Sequence, residues 1–259
     1  MCLIILANDI KSLSMDDMKT AYNRNPHGFG VMYMDYKKNF VSDKFVPKNF
    51  NEVKNFFNLH KEKTNVMAIH FRFKTEGKTN KKNCHPFISY NKDNRTIGMM
   101  HNGPKLPIEL KHDNCSDTWH YNHYLLKPKF EKNPNKVLEN SFQKAIGEHI
   151  GNDKMVFLDS KSEKFIIINE NLGNYKGKNW FSNDYWNVPK PKFNLNLYGS
   201  NHNYNSFDYD YVSTPTEKEI KKMTYMDIEM FVDHCFNHYD TVPIIELISK
   251  YQKKILNRK

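Results

Sequence analysis

Apolar residues in the first two thirds of the chain follow patterns typical of β-strands. Residues 2–7 form an unbroken apolar run, which predicts a strand buried on both faces. In residues 66–73 the large apolar side chains take every second position, from Met67 to Phe73, so they share one face of a predicted strand. Further predicted strands cover residues 30–34, 96–101, 155–159 and 165–169.

Helical periodicity appears between these strands. An apolar stripe from Phe50 to Phe57 predicts a helix that ends near His60. A second stripe, from Val137 to Ile150, is closed by Gly151. Ser116 is a suitable N-cap for a short helix. Runs of strands with helices grouped between them favour a layered α+β fold over alternating βαβ units.

The pattern changes beyond about residue 190. We interpret residues 1–190 as the main domain and residues 191–215, rich in Asn, Tyr and Pro, as a linker or extended arm. Residues 216–259 again show helical stripes and form a predicted helical tail. Such short helices are not stable alone, so we expect the tail to dock on the main domain or on a partner.

The charge balance narrows the choice of partners. Lysine and arginine total 39 against 29 acidic residues, a net charge of +10. The lysines are scattered, which favours a solvated basic surface over a nucleic-acid site without excluding the latter.

The first apolar run is too short for a membrane span and lacks the features of a signal peptide. We therefore expect a cytoplasmic protein without a membrane partner, and a phage or viral origin fits the composition.

Cys2 follows Met1 directly, and removal of Met1 is favoured when a small residue comes next. The mature chain would then carry a thiol and a free α-amine on one residue. Their unperturbed pKa values are close, about 8.5 and about 8, so the amine can accept the thiol proton without a separate histidine. The alternative is that Cys2 is a small buried apolar residue of the first strand.

Polar residues at the ends of predicted strands suggest a binding pocket. His70 and Arg72 share the face opposite the large apolar residues, and a buried arginine needs an anion, best a carboxylate. A structural acidic residue would meet the same need. Asn102 and Gly103 follow the strand 96–101 and together offer two donors, as an oxyanion hole requires, although Asn-Gly is also a common turn.

Asp117, in the first turn of the helix capped by Ser116, is suited to holding an ammonium group or to complementing the helix dipole. A zinc site is the competing interpretation of this region, because His112, Cys115 and a His120–His123 pair at helical spacing lie nearby. No CxxC pair anchors such a site. We therefore expect neither a metal nor another cofactor.

Taken in order, these short motifs resemble the class II, or N-terminal-nucleophile, glutamine amidotransferases. This is the glutaminase family of glucosamine-phosphate synthase and the purine-pathway phosphoribosyl amidotransferase. The resemblance covers about residues 1–185. It is carried by Met1-Cys2-Leu3-Ile4, by His27-Gly28-Phe29-Gly30, by His70, Arg72, Thr75 and Gly77, by Asn83-Cys84-His85-Pro86-Phe87, by His101-Asn102-Gly103, by Ser116-Asp117-Thr118 and by Trp180-Phe181-Ser182-Asn183.

The resemblance implies a reaction and a fold. Cys2 would attack the side-chain carbonyl of glutamine, and Asn102 and Gly103 would bind the oxyanion. The α-amine of Cys2 would pass the thiol proton to the departing ammonia, and water would hydrolyse the γ-glutamyl thioester. The implied fold is an Ntn-hydrolase four-layer αββα sandwich of two antiparallel sheets, here with a C-terminal helical extension.

The resemblance also assigns the substrate contacts. Arg72, helped by Thr75, would hold the α-carboxylate of glutamine, and Asp117 its α-ammonium. His70 and His101 complete the predicted substrate-binding set.

Two residues depart from the family pattern. Leu3 replaces a glycine, which would alter how closely substrate approaches the first strand. Trp119 stands where an acidic residue is common.

We expect a stand-alone glutaminase domain whose ammonia feeds a separate acceptor protein. Two alternatives stay open. One is a hydrolase of another γ-glutamyl or small amide. The other is an inactive amidotransferase-like binding protein.

Overall fold

A computed structural model of the chain describes residues 2–184, which form two antiparallel β-sheets with helices. The predicted α+β class is therefore confirmed. The predicted linker and helical tail lie outside the described residues. Within the described residues, no helix has the length and apolar character needed to cross a membrane.

The first sheet contains the amino-terminal strand near its centre. Its strands all pair antiparallel, and β1 lies between β4 and β10. Every residue of β1 is buried, as the unbroken apolar run predicts. In spatial order the strands are β3 (Phe40–Phe45), β2 (Phe29–Met34), β4 (Met67–Phe71), β1 (Leu3–Ala7), β10 (Asn179–Phe181) and β9 (Asn174–Lys176).

The second sheet is a four-stranded antiparallel meander. Its first hairpin turns at Asp93 and Asn94, which both have positive φ, as a tight two-residue hairpin turn requires. The strands follow chain order: β5 (Phe87–Lys92), β6 (Arg95–Asn102), β7 (Lys154–Asp159) and β8 (Lys164–Ile168).

Helices cover the outer face of each sheet. α1 (Met15–Arg24) and α2 (Phe50–Lys61) contribute buried residues to a core on the first sheet. On the second sheet a similar core is built with α4 (Lys127–Lys132) and α5 (Asn140–Ile150). The short α3 (Asp117–Tyr121) is capped by Ser116, whose side chain accepts a hydrogen bond from the Trp119 N–H.

A third core lies between the sheets and explains the four layers. Because side chains alternate along β1, Leu3 and Ile5 face the helices, whereas Ile4 and Leu6 face inward. The inward residues share a buried cluster with residues of the second sheet, including Met100. The order helix, sheet, sheet, helix is the predicted αββα arrangement.

The sequence patterns missed four strands and two helices, α1 and α4. All six predicted strands are present, but β3, β5, β9 and β10 are additional. β3 is only partly buried and carries charged residues, and β9 is exposed, so neither shows a clean alternation. The missed α1 buries few of its residues. The stripe from Val137 to Ile150 is divided, because a 3₁₀ turn ends at Leu138 before α5 begins.

A buried ion pair in the second sheet joins the first residue of β6 to the last residue of β7. The Arg95 Nε donates to the Asp159 Oδ1 at 2.6 Å, and its Nη1 donates to the Asn135 Oδ1 at 2.7 Å. Both members of the pair are almost fully buried. Removal of one partner would leave the other charge in the interior without compensation.

We expect Asp159→Asn to lower the free energy of unfolding by about 3–5 kcal/mol, because Arg95 would lose its buried counter-ion. Urea unfolding followed by circular dichroism measures this change. Glu148→Gln is the control, because it removes the exposed i,i+4 pair with Lys144 and should have little effect. Equal effects of the two changes would contradict the prediction.

Candidate active site

The register of the first sheet places Cys2 opposite Arg72. Leu3 pairs with Phe71 and Ile4 pairs with His70, so the next pair outward is Cys2 and Arg72. Residues directly opposite in an antiparallel ladder point to the same face. Since Ile4 faces the space between the sheets, Cys2 and Arg72 face that space as well.

The Cys2 thiol lies against the backbone that follows β4. Its Sγ accepts a hydrogen bond from the Phe73 N–H at 3.3 Å. Burial, the largest effect, raises the pKa of the thiol, and the negative charge of Asp117 adds to the rise. The Phe73 N–H, the charged amino terminus and Arg72 lower the pKa but do not reverse the shift. The net shift favours the protonated form of the thiol.

Arg72 is a buried cation held by backbone carbonyls. It is 3% exposed, its Nη2 donates to the Glu76 carbonyl at 2.9 Å, and its Nη1 donates to the Lys78 carbonyl at 3.4 Å. Among residues 2–184, no acidic side chain forms an ion pair with it. The alternative of a structural acidic partner is therefore not found within that range.

Asp117 is the matching buried anion. It is 5% exposed, its Oδ2 accepts from the Leu106 N–H at 2.8 Å, and its Oδ1 accepts from the Thr118 N–H at 2.6 Å. Within the described part of the chain, no basic side chain pairs with it. The charges of Asp117 and Arg72 both act on the Cys2 thiol. A buried cation and a buried anion, each without a counter-ion among residues 2–184, thus act on the same thiol.

Asn102 and Gly103 end β6 close to the first strand. Asn102 is 2% exposed, and its Nδ2 donates to the Ser182 hydroxyl at 2.8 Å. The same hydroxyl accepts from the Ile4 N–H at 2.8 Å. At Gly103, a Cβ would lie 1.8 Å from the Asp153 carboxyl carbon, so only glycine fits.

The side chain of His101 faces the opposite side of β6 from that of its neighbour Asn102. Its Nδ1 contacts the Thr118 hydroxyl at 3.1 Å, and its Nε2 contacts the Asp153 carboxylate at 3.0 Å. Both ring nitrogens are therefore used within the protein. These contacts give no support to the predicted substrate contact and favour a role in fixing the end of β6 against α3.

His70 lies on the pocket side but is completely buried. Its ring stacks on His85 with centroids 3.8 Å apart, and its Nε2 donates to the His101 carbonyl at 3.0 Å. Burial, the main cause, lowers the pKa of His70 to about 3 and the pKa of His85 well below its usual value. Both rings are neutral at physiological pH and carry no charge toward a substrate.

The glycine-rich turn makes room for the segment that carries His85. A Cβ at Gly28 would lie 2.6 Å from the Cys84 Sγ, and one at Gly30 would lie 1.9 Å from the His85 carbonyl oxygen. Lys44 holds the same segment, because its Nζ donates to the Cys84 and Pro86 carbonyls. The motif thus serves the close packing of this segment on β2.

Thr75 is exposed in the loop after β4, directly before Glu76, whose carbonyl accepts from Arg72. Asn83 anchors this loop. It is the first residue of one of the sequence motifs, but the motif did not indicate this role. The buried Asn83 Nδ2 donates to the Lys78 carbonyl at 2.9 Å and to the Asn114 carbonyl at 2.8 Å.

Asn83 also reaches the segment that leads to Asp117. Its Oδ1 accepts from the Ser116 N–H at 2.9 Å. One side chain thereby ties the Arg72 loop to the Asp117 segment.

Ser182 and Asn183 are also site residues without a role predicted from the sequence. Ser182 bonds Asn102, and the Asn183 Nδ2 donates to the Cys2 carbonyl at 2.8 Å. The only signal for them was the late motif of which they form the end. They follow β10, which pairs with β1, so this placement depends on a contact between the two ends of the described range.

Leu3 and Trp119, the two residues that depart from the family pattern, lie in different surroundings. Leu3 belongs to the helix-side core and points away from the Cys2 face. The expectation that Leu3 alters substrate approach is therefore not supported. Trp119 is half-buried, with the Lys82 Nζ 4.6 Å above its ring and the His123 ring stacked at 4.7 Å.

The zinc interpretation is not supported by the contacts of His120. Its Nε2 accepts from the Lys111 and His112 N–H groups at 3.0 Å, and its Nδ1 donates to the Ser116 carbonyl at 2.7 Å. Both ring nitrogens are thus occupied by backbone. In residues 2–184, no group of three or more metal-ligating side chains is assembled.

Comparison with known proteins adds two structural neighbours. One is the glutamine phosphoribosylpyrophosphate amidotransferase from B. subtilis complexed with ADP and GMP, 13% identical with a TM-score of 0.41. The other is the allosteric regulatory enzyme of purine biosynthesis, 14% identical with a TM-score of 0.44. Each comparison covers 70% of this chain and 41% of the neighbour, so the chain spans about two fifths of their length.

No family model and no curated protein matches the sequence. The first neighbour is of the class that the sequence motifs resemble.

The buried imidazoles predict acid sensitivity. An unfolded histidine titrates near pH 6.5, whereas folded His70 titrates at about 3, so between these values the unfolded state binds more protons. The free energy of unfolding should therefore fall as pH falls, by up to about 1.4 kcal/mol per pH unit for this residue. Urea unfolding at pH 7 and 4.5 measures the slope.

The variant His70→Asn should flatten this pH dependence, whereas His123→Asn, a change of an exposed histidine, should leave it as in the wild type. An unchanged slope in His70→Asn would show that His70 is not held neutral in the folded state.

Proposed function

We propose that this protein is a glutamine amidotransferase or glutaminase that uses Cys2, freed from Met1, as an N-terminal nucleophile. The observation that carries the proposal is the pair of buried charges beside the thiol. Arg72 and Asp117 are each almost fully buried, and neither has a counter-ion within residues 2–184. Buried charges are normally paired, so the pocket is suited to a ligand with both a carboxylate and an ammonium group.

The nucleophile fits an amide substrate. Because burial raises the pKa of the Cys2 thiol, a base must remove its proton, and the α-amine exposed by loss of Met1 is that base. The Sγ then attacks the side-chain carbonyl of glutamine, and the amine passes the proton to the departing ammonia. A γ-glutamyl thioester forms, and water hydrolyses it to glutamate.

The oxyanion of the tetrahedral intermediate is assigned to Asn102 and the Gly103 N–H. Asn102 is the last residue of β6 and Gly103 follows it, at the edge of the central space that Cys2 faces. Gly103 is required by the Asp153 carboxylate, which occupies the place of a side chain. Donors fixed in this way stabilise the developing negative charge without further reorganisation.

Recognition of the amino-acid end is assigned to Arg72 and Asp117. Two guanidinium nitrogens of Arg72 are fixed by backbone carbonyls, which orients the group for a carboxylate. The Asp117 carboxylate is oriented by two backbone N–H groups toward an ammonium partner. Thr75, exposed in the adjacent loop, is proposed as a secondary contact to the substrate carboxylate.

The product ammonia is proposed to serve a separate acceptor-binding protein in the cytoplasm. The net charge of +10 offers a basic docking surface for an acidic partner. No cofactor enters the proposed reaction.

Covalent labelling tests the nucleophile. We expect the intact mass of the purified protein to lack one methionine, and a diazoketone analogue of glutamine to add one adduct. The adduct should be absent in Cys2→Ala, whereas Cys115→Ala, a change of another buried cysteine, should still be labelled once. Retention of Met1, or an adduct that survives in Cys2→Ala, would contradict the proposal and favour the binding-protein alternative.

Steady-state kinetics test the charged pair. Arg72→Gln and Asp117→Asn should each lower kcat/KM for glutamine by about 10- to 100-fold, because each leaves one substrate charge unpaired in a buried pocket. Lys54→Gln, an exposed change on α2, is the control. Unchanged kcat/KM in both site variants would contradict the assignment. Faster turnover of N-substituted γ-glutamyl amides than of glutamine would favour the alternative hydrolase.

A further inference from the structure

A short hydrogen-bond relay connects the oxyanion donor to the strand that carries the nucleophile. The Ser182 hydroxyl accepts from the Ile4 N–H and from the Asn102 Nδ2, both at 2.8 Å. Ser182 is itself fixed to this strand, because its N–H donates to the Ile4 carbonyl at 2.9 Å. The next residue, Asn183, donates to the Cys2 carbonyl.

The relay leaves one strong acceptor unused. The Asn102 Oδ1 is buried and has no hydrogen-bond partner among the described residues. In the same arrangement the Nδ2 is directed to Ser182, so it is not the atom presented to a substrate oxyanion. A buried amide oxygen without a donor is unfavourable, which indicates that the amide has a second orientation.

A half-turn of the Asn102 amide would pair its oxygen with Ser182 and make its Nδ2 available to an oxyanion. Its oxygen and nitrogen have nearly the same shape, so the rotation exchanges their positions. The Ser182 hydroxyl can still accept from the Ile4 N–H while donating its own proton to the Asn102 Oδ1. The Nδ2 then occupies the position that the unpaired oxygen holds in the structure.

We propose that Ser182 is a positioning residue that sets the orientation of the Asn102 amide. Its hydroxyl donates to the Oδ1 and thereby directs the Nδ2 to the oxyanion formed by attack of Cys2. This inference rests on the proposed amidotransferase function and adds a residue to it. Because the relay begins on β1, the donor keeps a fixed position relative to the nucleophile on the same strand.

Kinetics of Ser182→Ala test the inference. The loss of one oxyanion-hole donor typically lowers kcat by about 100- to 1,000-fold. Loss of the group that orients the donor should lower kcat for glutamine by about 10- to 100-fold and leave KM nearly unchanged. Ser89→Ala is the control, because it removes another buried hydroxyl, bonded to Asn122, at a distance from this relay.

A double-mutant cycle separates positioning from a general structural effect. If Ser182 acts through Asn102, the variant carrying both Ser182→Ala and Asn102→Ala should be no slower than Asn102→Ala alone. Independent losses that multiply would overturn the inference. A wild-type rate in Ser182→Ala would also overturn it while the proposed function stood.

Binding of an aldehyde analogue of glutamine gives a second readout. Its hemithioacetal with Cys2 carries the tetrahedral oxygen, whereas glutamate does not. Ser182→Ala should weaken binding of the aldehyde by at least tenfold and leave binding of glutamate unchanged; equal weakening of both would overturn the inference. Absence of turnover and of a Cys2 adduct in the wild type would instead contradict the proposed function and, with it, this inference.

Discussion

The antiparallel pairing of β1 with β4 is the constraint on which the pocket depends. It fixes which residues of two distant segments meet. A slip of β1 by one residue would turn Cys2 to the other face of the sheet, away from Arg72. The register is in turn fixed by burial on both faces, since Leu3 and Ile4 enter different cores. The hydrophobic effect thus sets the position of Cys2 more strongly than any contact of its thiol.

The sequence predicted the central features of the fold because they have strong patterns. The fully buried β1 and the alternating β4 were visible as an apolar run and as a period of two. The edge strands β3 and β9 were not, because half-buried or exposed strands leave no alternation. The motifs singled out Cys2, Arg72 and Asp117 as candidate site residues. The burial of His70 and the hydrogen bonds of His101 within the protein depend on packing that motifs do not encode.

The residues that no sequence argument assigned to the site share one property. Ser182 and Asn83 act by hydrogen bonds to backbone groups of segments far away in the chain. Their side chains are ordinary polar types without a characteristic spacing. Their importance arises only when β10 pairs with β1 or when two loops meet, so it belongs to tertiary structure. Residues that position a site are for this reason harder to recognise than those that react.

The amide of Asn83 has a consequence for selectivity. One end of it holds the Lys78 carbonyl, which also receives the Arg72 guanidinium, and the other end holds the backbone just before Asp117. The segments that carry the two charged groups are therefore linked through one buried side chain. Under the proposed function, this link would act as a fixed spacer that favours ligands whose amine and carboxylate match one separation, because less ordering is needed on binding.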